Sequence, residues 1–169
     1  MMIRRLSLAL ASLSLLTVAT LSHAATPAAP ATPAAPAPKA AVDLNSPIGL
    51  WETIDDETKK PKSIVRLYDQ GGVISGKVEK LLNRAPGDEN PLCTECSDER
   101  KDKPILGMVI MWGMKKSEDG WEDGKIFDPK KGKTYSCQFK LAEGGKKLEV
   151  RGYIGVVALG RTQTWNRVQ

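Results

Sequence analysis

The sequence predicts an all-β fold for residues 43–169, an eight-stranded antiparallel up-and-down barrel. Eight short segments rich in β-branched and aromatic residues are separated by turns rich in glycine and aspartate. No amphipathic helix of ordinary length lies between them, so crossovers for a parallel sheet are missing and consecutive strands are expected to pair antiparallel. Closing the sheet on itself buries its apolar face and removes exposed edges. A two-sheet β-sandwich is the alternative, because alternating residues do not distinguish the two folds.

The predicted strands follow one another along most of this domain. They are Ile48–Ile54, Ser63–Asp69, Val73–Leu82, Gly107–Met114, Trp121–Asp128, Lys133–Leu141, Lys147–Ile154 and Val156–Arg167. Turn residues occupy positions 69–72, 117–120, 128–132 and 143–145. Apolar and polar residues alternate clearly in the sixth strand, where Tyr135, Cys137 and Phe139 share the face predicted to be buried.

Residues 1–24 have the pattern of a secretory signal peptide. Two arginines precede the apolar stretch Leu6–Leu21, and small residues surround the cleavage position predicted after Ala24. That stretch has 16 residues, whereas a membrane span needs roughly 20. The sequence therefore predicts a periplasmic or secreted protein without a membrane span after cleavage. Removing the two arginines lowers the net charge from +5 to +3, which weakens the case for nucleic-acid binding.

Residues 25–42 form an Ala/Pro tract, ATPAAPATPAAPAPKAAV. Recurrent proline disfavours helix and sheet and favours the extended polyproline II conformation. Fully extended, the tract would reach roughly 55 Å, at about 3.1 Å per residue. It is interpreted as a disordered tether, which either acts as a spacer or is a passive leader, and nothing in it selects a partner.

The histidine count excludes several classes of chemistry. The only histidine, His23, lies within the predicted signal peptide. The processed chain would thus lack an imidazole for a Ser-His-Asp triad, a histidine-ligated zinc or a proximal haem ligand. The prediction is a protein that is not an enzyme and that has no cofactor.

Several motifs, taken in order, resemble those of known proteins. Gly49-Leu50-Trp51 resembles the Gly-x-Trp that opens lipocalin-like (calycin) barrels. The full set comprises IGLWETIDD at 48–56, KSIVR at 62–66, GKV at 76–78, NPLCTEC at 90–96, GKIFDP at 124–129, GKTY at 132–135, RGYIG at 151–155 and GRTQTW at 160–165. This set is similar to the small exported bacterial proteins grouped as domain of unknown function 2147, over residues 47–167. The resemblance implies a periplasmic lipocalin-like barrel and supplies no catalytic or ligand-binding residues.

The first and last strands carry the candidate site residues. In an up-and-down barrel these strands are antiparallel neighbours, so Trp51 is expected to meet the end of the last strand, where a guanidinium closes the barrel over the indole. Arg167 is predicted for this role in preference to Arg161, which lies nearer the opposite mouth. Tyr135, Arg161 and Gln163 are the candidate ligand contacts.

Cys93 and Cys96 are predicted to form a disulfide that clamps the connection Asn83–Leu106, since export places them in an oxidising space. A redox role and pairing of either cysteine with Cys137 are the alternatives. If Cys93 and Cys96 pair with each other, Cys137 is expected to be a free, buried thiol. A structural zinc site needs four ligands. The three cysteines would supply three of them and an acidic side chain would have to supply the fourth, so no metal is predicted.

The acidic cluster Glu52, Asp55, Asp56 and Glu57 is compatible with a glycosidase acid and base. Solvation of the first turn is the preferred explanation, because lysines follow at once and no aromatic platform for a sugar is evident. The mixed charges of residues 98–103 likewise indicate solvated surface.

Three functions are compatible with these features. The first is binding of a small hydrophobic or amphipathic ligand inside the barrel, with residues 83–106 as a lid over one mouth. The second is an envelope module that binds another protein and whose barrel is filled with side chains. The third is thiol-disulfide exchange. Because eight strands either hold one small ligand or fill with side chains, the interior decides between the first two.

Overall fold

The structure, a computed structural model, describes residues 42–168 and forms one closed barrel. Its strands are β1 (Gly49–Ile54), β2 (Pro61–Asp69), β3 (Val73–Leu81), β4 (Val109–Lys116), β5 (Trp121–Asp128), β6 (Lys133–Ala142), β7 (Lys147–Tyr153) and β8 (Arg161–Arg167). Each strand pairs antiparallel with the next, and β8 pairs with β1. The predicted up-and-down barrel is confirmed. The predicted signal peptide and all but the last residue of the predicted tether lie outside the described residues.

The two ends of the barrel differ in their connections. At one end, called here the upper end, lie residues 55–60, 82–108, 129–132 and 154–160. The lower end carries residues 42–48 and three short turns, at 70–72, 117–120 and 143–146. None of the helical turns between residues 42 and 168 is long and apolar enough to cross a membrane.

Large side chains fill the interior of the barrel. The buried inward-facing residues include Trp51, Val65, Leu67, Met111, Met114, Phe139, Leu148, Val150 and Trp165. Even the glycines of this core have close neighbours: a Cβ at Gly76 would lie 2.6 Å from Cδ2 of Leu67, and one at Gly124 would overlap the sulfur of Met114. The barrel is therefore a packed core, and its strands support the upper and lower ends as a rigid frame.

The long β3–β4 connection packs against the outside of the barrel. The guanidinium carbon of Arg100 lies 3.7 Å from the ring centroid of Phe127 and 5.5 Å from that of Trp112. Both rings alternate along their strands with inward-facing residues, so they lie on the outer surface. This anchoring holds the middle of the connection against the outer wall, instead of over a mouth as the sequence suggested.

The last strand is shorter than predicted. It begins at Arg161, whereas the sequence placed its start at Val156. Residues Val157–Leu159 instead form a short 3₁₀ turn, in which the amide of Gly160 donates to the carbonyl of Val157. Strand-forming side chains alone do not fix the boundary, because the chain has to reverse direction between β7 and β8.

Candidate functional site

The lower end is closed by Arg167 and Trp51. The guanidinium carbon of Arg167 lies 4.2 Å from the centroid of the Trp51 ring, and the two residues are paired in register. The guanidinium also donates to the carbonyls of Gly145, Ser46 and Ile48, at 2.6, 2.6 and 3.2 Å. Partial burial lowers the pKa of Arg167, but the group stays charged at any ordinary pH. This arrangement matches the closure predicted from the sequence.

A chain of polar contacts runs from the core to the upper end. The indole nitrogen of buried Trp165 donates to Oε1 of Gln163 at 3.1 Å, and Nε2 of Gln163 donates to Asp56 at 2.5 Å. The other oxygen of Asp56 lies 3.0 Å from the guanidinium of Arg161, whose side chain is 59% exposed. Two of the candidate ligand contacts, Arg161 and Gln163, thus meet on one carboxylate. Sequence reasoning preferred turn solvation over an acid-base role for Asp56 and missed this contact, although its place directly after β1 sets it opposite the start of β8.

Tyr135, the third candidate, lies apart from these contacts. It is on β6, and a Cβ added at Gly152 of β7 would lie 3.6 Å from its own Cβ. Gly152 in turn pairs with Arg161 of β8. Tyr135 and Arg161 therefore belong to the inner rim of the upper end, two strands apart. Among residues 42–168 no hydrogen bond joins their side chains.

The seam between β1 and β8 opens towards the upper end. The two strands pair only at Trp51 with Arg167 and at Glu52 with Asn166. Above these pairs an open groove of about 350 Å³ lies between them. Its lining includes Ile54, Asp55, Asp56, Lys59, Thr162 and Thr164. A second open groove, of about 410 Å³, lies by the turns of the lower end.

The groove exposes main-chain groups of β8. The amide of Arg167 donates to Lys146, next to β7, whereas the amide of Val168 donates to Leu50 of β1. Because successive peptide groups of a strand point to opposite sides, the N–H and C=O groups of Thr162 and Thr164 point towards β1. No β1 residue pairs with these two threonines. They form a short open edge of the sheet.

The predicted disulfide between Cys93 and Cys96 is confirmed. Both cysteines are buried, at 1% and 3% exposure, and Sγ of Cys93 lies 3.6 Å from the carbonyl of Pro129. Thiol-disulfide exchange needs an accessible sulfur, so this burial favours the clamp over the redox role. Cys137 is free and buried, and desolvation raises its pKa to about 12. It is a protonated and unreactive thiol at neutral pH.

The acidic residues of the first turn are engaged in local structure. Asp55 accepts hydrogen bonds from the amides of Glu57 and Thr58 and from the Thr58 hydroxyl. The amide of Thr58 is the main reason why the pKa of Asp55 is lowered. Glu57 forms an ion pair with Lys130 at 2.7 Å. Between residues 42 and 168, no three Cys, Asp or Glu side chains converge as metal ligands would.

The geometry can be compared with known proteins. Residues 49–167 match the family described as "Uncharacterized protein conserved in bacteria (DUF2147)". The chain belongs to this family. No curated protein matches the chain. Among solved structures, the chain is similar to HP1028 of Helicobacter pylori, described as a member of the lipocalin family, with 20% sequence identity and a TM-score of 0.63. The match covers 76% of this chain and 85% of HP1028.

This DUF2147 protein therefore has a lipocalin-like fold. The family boundaries coincide with β1–β8, which agrees with the resemblance seen in the motifs. At 20% identity the likeness to HP1028 defines the fold and not the ligand. Any function has to be argued from the groove, the upper end and the packed interior of this chain.

Proposed function

We propose that this DUF2147 protein is a non-enzymatic interaction module of the bacterial envelope. Its barrel serves as a filled scaffold, and its binding surface is the open edge of β8. The partner is an extended segment of another protein that pairs with this edge. The observation that carries the proposal is the packing of the interior, in which Trp51, Trp165 and Met111 are almost completely buried. A filled barrel has no interior cavity for a ligand, so binding takes place on its outer surface.

The open edge suits an extended peptide. Thr162 and Thr164 offer N–H and C=O groups towards the groove, and an added strand satisfies such groups while gaining affinity from main-chain hydrogen bonds. The charged side chains that line the groove are two acids and two lysines, so their charges balance, and two of them are in ion pairs, Asp56 with Arg161 and Lys147 with Glu143. Recognition would therefore rest on main-chain hydrogen bonds and shape more than on charge.

Site-specific photo-crosslinking in cells tests this surface. A photo-reactive side chain at Thr164 is expected to give a protein adduct, because that residue is exposed beside the open edge. The control position is Lys125 of β5, which is also exposed but is paired on both sides, with Trp112 and Ser136. Adducts at Thr164 alone support the proposal. Equal adducts at both positions, or none at Thr164, contradict it.

A second candidate is binding of a small amphipathic ligand at the upper end. Its support is the cluster of Asp56, Arg161 and Gln163, which offers hydrogen-bonding groups beside apolar residues of the rim, together with the lipocalin-like fold. Native mass spectrometry of protein purified from its own envelope separates the candidates. A retained small molecule that dissociates on unfolding favours the second, and a retained polypeptide favours the first.

The proposal places the protein in the periplasm, on the strength of the signal-like residues 1–24. N-terminal sequencing of the exported protein is expected to begin at or near Ala25. Retention of Met1 in exported material would contradict this part of the proposal.

A further inference from the structure

The β7–β8 connection at the upper end is an apolar and exposed loop. Residues 154–160 read IGVVALG, seven residues without a single polar side chain. Ile154, Val156 and Leu159 are 70%, 59% and 82% exposed. Contiguous apolar residues on a surface mark a site that a partner or a membrane covers. The groove at the β1–β8 seam does not include this loop.

Five main-chain groups in the second half of this apolar loop are bonded from within the protein. Arg151 of β7 donates from Nε to the carbonyl of Val157 at 2.9 Å and from Nη2 to that of Ala158 at 3.0 Å. The amides of Leu159 and Gly160 donate to the carbonyls of Val156 and Val157. In lipid, unsatisfied N–H and C=O groups are costly. These internal bonds lower the cost of moving the loop out of water.

Cations surround the base of the loop. Arg151 precedes it, and Arg161 follows it directly. Ser136 of β6 pairs with Tyr153, the last residue of β7, so Lys133, the first residue of β6, lies on the neighbouring strand at the same end of the barrel as the loop. Within residues 42–168 neither Arg151 nor Lys133 forms an ion pair with a carboxylate. The cations at the base of the loop are suited to contact with negatively charged lipid headgroups.

We propose that the apolar loop inserts shallowly into a lipid surface with anionic headgroups. Ile154, Val156 and Leu159 enter the boundary between headgroups and acyl chains, while Arg151 and Lys133 stay at the level of the phosphates. A lipid surface is favoured over a protein partner because Arg151 and Lys133, cations without a carboxylate partner among residues 42–168, lie at the same end of the barrel as the loop, and because five of its main-chain groups are already bonded internally. This inference does not depend on the open edge of β8.

Vesicle flotation tests the proposal. The protein beginning at Ala25 is mixed with vesicles of phosphatidylethanolamine and phosphatidylglycerol, or with vesicles of phosphatidylcholine alone. The unaltered protein is expected to float with the anionic vesicles. The double variant Ile154→Ser/Leu159→Ser, which changes only exposed side chains, is expected to bind at least about tenfold more weakly, because apolar burial drives such insertion. Lys133→Glu is expected to weaken binding to the anionic vesicles only.

The matched control is Leu92→Ser/Leu106→Ser, which removes two exposed leucines, 48% and 43% exposed, from the β3–β4 connection. It is expected to float like the unaltered protein. A Leu159→Trp variant gives a second readout, since its added emission should shift to shorter wavelength with anionic vesicles.

Three results would overturn the inference. They are equal flotation of the loop and control variants, an emission of Leu159→Trp that vesicles do not change, and concentration-dependent self-association that the loop variant abolishes. The last would make the loop a contact between copies of this chain. Photo-crosslinking at Thr164 is read separately, so loss of lipid binding leaves the test of the open edge unaffected.

Discussion

Arg167 joins three segments of the chain at the lower end of the barrel. Its planar guanidinium covers Trp51 and donates to carbonyls of residues 46, 48 and 145, which come from the N-terminal segment and the β6–β7 turn. Arg161 is on the same strand but forms an ion pair with Asp56, and its side chain is mostly exposed. The two arginines thus have different expected roles, one in stability and one at the surface.

Replacing each arginine by alanine tests this difference. Arg167→Ala is expected to lower the free energy of unfolding by about 3 kcal/mol, because it removes a partly desolvated cation-π contact and several charged hydrogen bonds. Arg161→Ala is expected to cost less than about 1 kcal/mol, as exposed ion pairs do. Urea unfolding measures both values. Arg167→Lys, which keeps the charge but loses the planar fork, should lie between them. Equal losses for the two alanine variants would contradict the assignment.

Cys137 gives the folded protein a defined dependence on alkaline pH. Burial raises its pKa from an ordinary value of 9.0 to about 12. A thiol with a higher pKa in the folded state contributes full stability below pH 9, and that contribution is lost as the pH rises towards 12. The slope is expected to reach about 1.4 kcal/mol per pH unit. Urea unfolding between pH 8 and 11 measures it, and Cys137→Ala, which has no thiol, should have a shallower slope. Identical slopes would show that Cys137 is not responsible.

At the scale of elements, the β3–β4 connection is held by a contact that only glycine permits. Gly132, in the β5–β6 turn, has a φ of 60°, and a Cβ there would overlap the carbonyl of Glu95 beside the disulfide. Gly144, in the β6–β7 turn, has a φ of 61° but nothing within 4 Å of such a Cβ. The two glycines share a backbone conformation and differ in what they touch.

This pair allows the contact to be measured. Gly144→Ala is expected to cost about 1 kcal/mol, the cost of a left-handed conformation for an L-residue. Gly132→Ala should cost clearly more, because the connection has to move away from the turn. Hydrogen exchange of residues 90–106 should increase in Gly132→Ala and remain unchanged in Gly144→Ala. Similar exchange in both variants would mean that Gly132 does not hold the connection.

Across the whole molecule, the filled interior separates binding at the surface from binding in a cavity. Met111 is completely buried beside Gly76, whereas Val109 of the same strand is 40% exposed. Met111→Ala is expected to lower the free energy of unfolding by 2–5 kcal/mol, a range of roughly the size found for such truncations, and to open a dry cavity. Val109→Ala is the control and should do neither.

Binding of xenon or benzene detects the new cavity. The unaltered protein is expected to bind neither in its core, and Met111→Ala is expected to bind at least one of them. Saturable uptake by the unaltered protein would show an interior space and would favour the small-ligand candidate over the protein-interaction module.

The sequence by itself determined the all-β class, the number and order of the strands and the identity of the closing arginine, and it favoured the Cys93–Cys96 disulfide over pairing with Cys137. These features depend on local patterns: alternation in strands, glycine-rich turns, and the antiparallel order that brings the end of β8 to the start of β1. The place of Arg167 over Trp51 follows from that order and from residue spacing along a strand.

Only the tertiary structure decided whether the interior is open or filled, where the β3–β4 connection lies, and which groups line the seam. Whether Met111 and Trp165 fill the centre depends on barrel geometry and on side chains from distant strands, which no local pattern records. The link from Asp56 to Gln163 spans 107 residues of sequence. Such contacts form because the closed sheet brings its first and last strands together. The contact partner of a residue such as Asp56 is therefore set by the fold and not by its neighbours in the sequence.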